Sequence, residues 1–67
     1  MSADLKVDDP VRSLVDLGVG DPEETASGTE GVVTQVNPPH YSYRYEVQFT
    51  NGHLWLVTET EIEAVTR

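Results

Sequence analysis

Tyr41-Ser-Tyr-Arg-Tyr45-Glu-Val-Gln-Phe-Thr50-Asn-Gly-His-Leu-Trp55-Leu-Val57 is the stretch that decides how this chain folds. Two runs rich in aromatic and β-branched residues flank Asn51-Gly52, a dipeptide preferred at the centre of a tight hairpin because both positions accept positive φ. With these two as the central residues of a type I′ turn, register follows by counting. Thr50 faces His53, Phe49 faces Leu54, Gln48 faces Trp55, Val47 faces Leu56 and Glu46 faces Val57. Side chains alternate along a strand, so Tyr45, Val47 and Phe49 share one face with Leu54 and Leu56, the expected core. The other face carries Arg44, Glu46 and Gln48 beside His53, Trp55 and Val57, which leaves the single tryptophan among polar neighbours. A one-residue slip exchanges the two faces and sends Trp55 inward.

Upstream, Thr29 to Asn37 is β-branched and alternating, and Pro38-Pro39 ends it by removing backbone donors. Val32, Thr34 and Val36 fall on one face of this strand, Val33 and Gln35 on the other. Gly31 interrupts its start, as glycine does at a bulge or where another backbone comes close. From Gly18 to Gly28 turn formers and acids alternate with almost nothing to bury, which predicts a long surface loop. Val11 to Leu17 reads as a first strand with Val11, Val15 and Leu17 on one face. The same residues fit a helical stripe that Gly18 and Gly20 would cut to about two turns. Residues 1–9 carry three aspartates and no apolar period, the pattern of a flexible tail before a domain spanning residues 10–67. After the hairpin, Thr58-Glu-Thr-Glu61 is a capping box ahead of Ile62, predicting one helical or 3₁₀ turn before a short last strand.

Sixty-seven residues make one small domain that buries roughly 60% of the surface its unfolded chain exposes, leaving no room for a deep cleft. With no cysteine, the core rests on its apolar side chains or on an oligomer interface. No apolar run approaches a membrane span and the N-terminus has no signal-peptide pattern, so a soluble, cytoplasmic protein is expected. Twelve acidic residues against four basic ones give a net charge of −8. Such a field repels phosphate backbones and anionic lipid, which makes direct nucleic-acid and membrane partners poor fits and a basic protein partner a good one. One lysine among many acids suits a halophilic cytoplasm, where salt screens repulsion, and equally an ordinary acidic protein.

Five short strands, a long first loop, a tight hairpin and one turn before the last strand resemble the SH3-like small β-barrel. Gly28-Thr-Glu-Gly31-Val-Val-Thr-Gln-Val36 is similar to the Gly-x-x-Gly-x-Val-x-x-Val pattern of KOW-type barrels. Tyr45 to His53, followed by Thr58 to Val65, looks like the closing half of KOW and Tudor-like barrels. The likeness covers residues 11 to 66. It implies an all-β, five-stranded barrel and, for KOW modules, a place beside transcription or translation machinery. The flanks here are Glu23, Glu24 and Glu30, where KOW modules carry basic residues. Fold alone does not set function.

No catalytic residue, metal or cofactor is expected. His40 and His53 fall at opposite ends of an extended strand, about 30 Å apart at ~3.3 Å per residue, too far to share an ion. Asp21, Glu23 and Glu24 lack the spacing of a calcium loop. Glu59, Glu61 and Glu63 lack the substrate-sized, water-excluding gap that paired catalytic carboxylates need. The aromatics carry the functional lead. Tyr41 and Tyr43 sit at the rim, either covering the domain's end or forming an aromatic cage for a cation. Trp55, Val57, Gln48, Glu46 and His53 form the candidate partner-binding face. The competing readings of Trp55 are cover by the N-terminal tail or the 18–28 loop, and strand curvature that turns its face inward. The expected function is a non-enzymatic protein-interaction or regulatory module, with self-association compatible. The alternatives are a KOW-like accessory of nucleic-acid machinery and an acidic antitoxin or inhibitor of a basic protein.

Overall fold

The computed structural model describes residues 5–65 as five strands, β1 (Pro10–Ser13), β2 (Glu30–Val36), β3 (Tyr45–Phe49), β4 (Leu54–Val57) and β5 (Ile62–Ala64). Every pairing is antiparallel and the order is β4-β3-β2-β1-β5, so the sheet is open, with β4 and β5 as its edges. The all-β, five-stranded class expected from the sequence is the class observed. No helix occurs among the described residues.

The hairpin register is the main correction. Val47 lies opposite Trp55, Gln48 opposite Leu54, Glu46 opposite Leu56 and Tyr45 opposite Val57, one residue from the expected pairing. A type I′ turn needs positive φ at both central residues, yet Gly52 alone has it here, at 92°. The Phe49 N–H donates to the His53 carbonyl at 2.9 Å and the Gly52 N–H to the Phe49 carbonyl at 3.0 Å. These bonds close a three-residue loop, Thr50-Asn51-Gly52, with glycine in the left-handed position. Asn51 is held by its side chain: its Nδ2 donates to the Thr25 hydroxyl at 3.0 Å and its Oδ1 accepts from the His53 N–H at 3.0 Å. The faces of β4 therefore exchange. Val57 is fully buried and Trp55 packs on the core, while Leu54 and Leu56 are about half exposed (48% and 49%).

The core comprises Val11, Leu17, Val33, Tyr45, Val47, Phe49, Val57 and Ile62, with Leu5, Val36 and Trp55 packed at its margin. In β2 the inward positions are Gly31 and Val33, not Val32 and Thr34, and a bulge between Val33 and Gln35 then turns Val36 toward the core. Gly31 marks a close backbone approach, one of the two readings its position invites. A Cβ there would stand 2.6 Å from the Gln48 carbonyl oxygen and 2.9 Å from the Phe49 Cα.

Strand β1 is shorter than the run Val11–Leu17. Val11 and Ser13 are buried, Leu14 and Val15 face solvent, and Leu17 returns to the core through a bridge to Thr25. The run is not helical. Residues 5–9, read from sequence as part of a tail, lie against the sheet, while residues 1–4 are outside the described residues. The Asp8 N–H donates to the Val33 carbonyl (2.7 Å), the Val33 N–H to the Asp9 carbonyl (3.1 Å), and Leu5 joins the core margin.

Between β4 and β5 the capping-box residues make one turn: the Glu61 N–H reaches the Thr58 carbonyl at 3.1 Å, and the Glu61 carboxylate accepts from the Thr58 N–H at 2.8 Å. Arg12 on β1 and Glu63 on β5 form an ion pair across the far edge at 2.7 Å, each side chain 43% exposed. Solvent screens such a pair, so Glu63→Gln is expected to shift stability by under about 1 kcal/mol, measured by urea unfolding. A larger loss would mean that β5 depends on the pair to stay docked.

Candidate interaction surface

Trp55 and Thr25 form the junction that ties the long loop to the sheet. The Trp55 Nε1–H is shared between the Glu23 carbonyl (3.1 Å) and the Thr25 hydroxyl (3.0 Å), and Asn51 Nδ2 reaches the same hydroxyl. Thr25 is fully buried, and its backbone exchanges both hydrogen bonds with Leu17, at 2.8 and 2.9 Å. Its hydroxyl gives its own proton to the Glu23 carbonyl at 3.3 Å. The Trp55 ring lies against Gly18, where a Cβ would meet Cζ2 at 2.6 Å and Cη2 closer still. Of the competing readings of Trp55, the geometry shows cover by the 18–28 loop, on a face that the register turns inward.

The residues expected on one binding face are divided. Val57 and Trp55 point to the core side. Glu46 and Gln48 lie on the outer face, where the sequence reading had placed them, but beside Leu54 and Leu56. His53 sits half-buried at the foot of the hairpin loop, its carbonyl accepting from Gln48 Nε2 at 3.3 Å.

The outer face that results is a patch of two rows. Pro10, Val32, Gln48 and Leu54 stand opposite one another across four strands, and Gln35, Glu46 and Leu56 form the next row. Val32 is 41% exposed, and a shallow groove of about 300 Å³ runs over Pro10, Val32 and Gln48 to Glu30 and Thr50. The Glu46 carboxylate accepts from the Thr34 hydroxyl at 2.8 Å at the edge of this patch. Sequence reading missed Leu54, Leu56 and Val32 as surface residues because all three are apolar and have apolar neighbours on the opposite face, Trp55, Val57 and Val33. The signal for the slip was Asn51, whose side chain can serve a three-residue loop as well as a two-residue one.

Tyr41 and Tyr43 are half exposed in the 37–44 connection. Tyr41 meets His40 edge-on at 4.9 Å and lines a cleft of about 280 Å³ with Pro39, Arg44, Thr58 and Glu59. Arg44 lies over the Tyr45 ring at 5.6 Å and donates to the Asn37 carbonyl at 2.8 Å, so a cation already occupies this end of the sheet. Among the described residues no group of three or more His, Asp or Glu side chains is placed to hold a metal. No helix long and apolar enough to cross a membrane occurs among them.

Compared with known proteins, the chain matches no family model, no curated protein and no solved structure.

Proposed function

We propose that this protein is a non-enzymatic interaction module that docks a protein partner on the outer face of its β3–β4 hairpin. The observation that carries this reading is the pair Leu54 and Leu56, each half exposed and two residues apart on β4, with exposed Val32 in the same row as Leu54 on the far side of Gln48. Leaving that much apolar surface wet forgoes stabilisation that a small domain can ill spare, and contiguous apolar patches with polar margins are where partners bind. The strand order, the long first loop and the single turn before β5 support an SH3-like reading of the fold.

Charge supports a basic partner over nucleic acid. The described residues hold the cations Lys6, Arg12 and Arg44, and Arg12 is tied to Glu63 and Arg44 to Tyr45 and Asn37. Two of these three side chains are therefore already engaged, which leaves Lys6 as the one without such a tie among the described residues.

The test pairs capture with mapping. A protein recovered from cell extract by the wild type and lost by Leu54→Lys/Leu56→Lys is identified, purified and titrated into isotope-labelled protein. Shifts confined to Val32, Gln48, Leu54 and Leu56 are expected, with affinity falling at least about tenfold in the double variant. Shifts centred on Tyr41 and Tyr43, or undiminished capture by the double variant, overturn the reading.

A further inference from the structure

We infer that the partner binds as an added strand along the free edge of β4, presenting apolar side chains alternately with basic ones. This deepens the proposed function and rests on it. The Phe49–His53 bond fixes the hairpin ladder, so Val47 and Trp55, then Tyr45 and Val57, exchange bonds across it. Leu54 and Leu56 consequently turn their N–H and C=O groups outward, where no other described strand pairs with β4. Edges exposed in this way are usually protected by charge, proline or a bulge. The β5 edge is three residues long and carries Glu63, bound to Arg12. By contrast β4 reads Leu-Trp-Leu-Val, with neither charge nor proline.

Charge decides between a second copy and a different chain. Two bodies of net charge −8 repel, whereas a basic segment is attracted to the same edge. An added strand would set alternate residues beside Leu54 and Leu56 on the outer face. The intervening residues would face the side where the Glu23 backbone carbonyl accepts from the Trp55 indole N–H, in a loop that carries Asp21, Glu23 and Glu24. Apolar side chains suit the first set and lysine or arginine the second.

The test uses the full isotope-labelled chain and a synthetic peptide, Lys-Leu-Lys-Val-Lys-Leu-Lys, followed by amide hydrogen exchange. The peptide is expected to slow exchange at the Leu54 and Leu56 amides by about tenfold or more while leaving Trp55 and Val57 unchanged. Binding should weaken with added salt and vanish when glutamate replaces lysine in the peptide. Leu56→Pro removes an outward N–H that β3 does not use, and should weaken binding further than Leu56→Ala, with the Val47 and Phe49 amides confirming the fold. Shifts at the Leu54 and Leu56 methyl groups without amide protection overturn strand addition and leave the docking face standing. Equal binding of the glutamate peptide, or no binding at about 1 mM, overturns the basic-strand proposal alone, since capture by the hairpin face is judged separately. Protection of both amides in the free protein, with sedimentation as a dimer, makes a second copy the occupant and also overturns it.

Discussion

Gly31→Ala is expected to cost this protein roughly 2–3 kcal/mol, a large share of the ~3–10 kcal/mol that a chain of this length has in total. The added methyl group would meet the Gln48 carbonyl oxygen at 2.6 Å and the Phe49 Cα at 2.9 Å, with Val47 Cγ1 at 3.0 Å. The first two are backbone atoms of the adjacent strand, and no rotamer change moves them aside. Relief requires β2 and β3 to separate at the place where Gly31 and Phe49 pair. Urea unfolding followed by circular dichroism should show the midpoint falling sharply with the slope retained, and a bulkier Gly31→Val should fail to fold. The neighbouring Val32→Ala, on the exposed face, should stay within about 0.5 kcal/mol of wild type. An unchanged midpoint in Gly31→Ala would show that the strands are not in this close contact.

The second large effect falls on Trp55. Trp55→Phe keeps an aromatic ring under the loop but removes the donor shared by the Glu23 carbonyl and the Thr25 hydroxyl and the outer ring edge that lies against Gly18, for a loss of about 1–2 kcal/mol. Trp55→Ala also empties the space under the loop and should cost about 3 kcal/mol or more. Both variants should loosen residues 18–28 ahead of the sheet. A glutamate-specific protease then cleaves after Glu23 or Glu24 about tenfold faster in Trp55→Phe at temperatures where the strands remain intact. Cleavage at the wild-type rate would mean that the Leu17–Thr25 bridge and Asn51 hold the loop without the indole.

These two residues also show how much of the fold was legible. Gly31 could be read from sequence as a site of bulge or close approach, because a glycine within a β-branched run has few other uses. Which of the two it was depended on where β3 lay, and the bulge proved to fall at Thr34 instead. The five strands and the turn at Thr58–Glu61 were visible as local patterns, since each depends on residues near in sequence. The face of β4 was not, because Asn51-Gly52 fits two loop lengths and the choice rests on a hydroxyl 26 residues upstream. Trp55 and Val57 were placed outside by that register and Leu54 and Leu56 inside, so the candidate surface kept Glu46 and Gln48 and exchanged its apolar members. No local property of Leu56 distinguishes it from a core leucine.

Residues 5–9 follow the same logic. Lys6 to Asp9 have no apolar period to announce packing. Their order comes from a turn in which the Asp9 carboxylate accepts from the Lys6 N–H at 2.8 Å, with Asp8 at φ 78°, and from bonds to Val33 in a strand more than twenty residues away.

The chain's one tryptophan sits where the long loop, the hairpin strand and the core margin meet. Its light emission therefore has a single source, and that source is positioned against a glycine and a backbone carbonyl of the loop rather than deep among aliphatic side chains. The molecule thus carries its own optical gauge of whether loop and hairpin are joined. A strand arriving at the β4 edge would be seen through the same indole, with no dye or tag on a surface where a tag could block the edge.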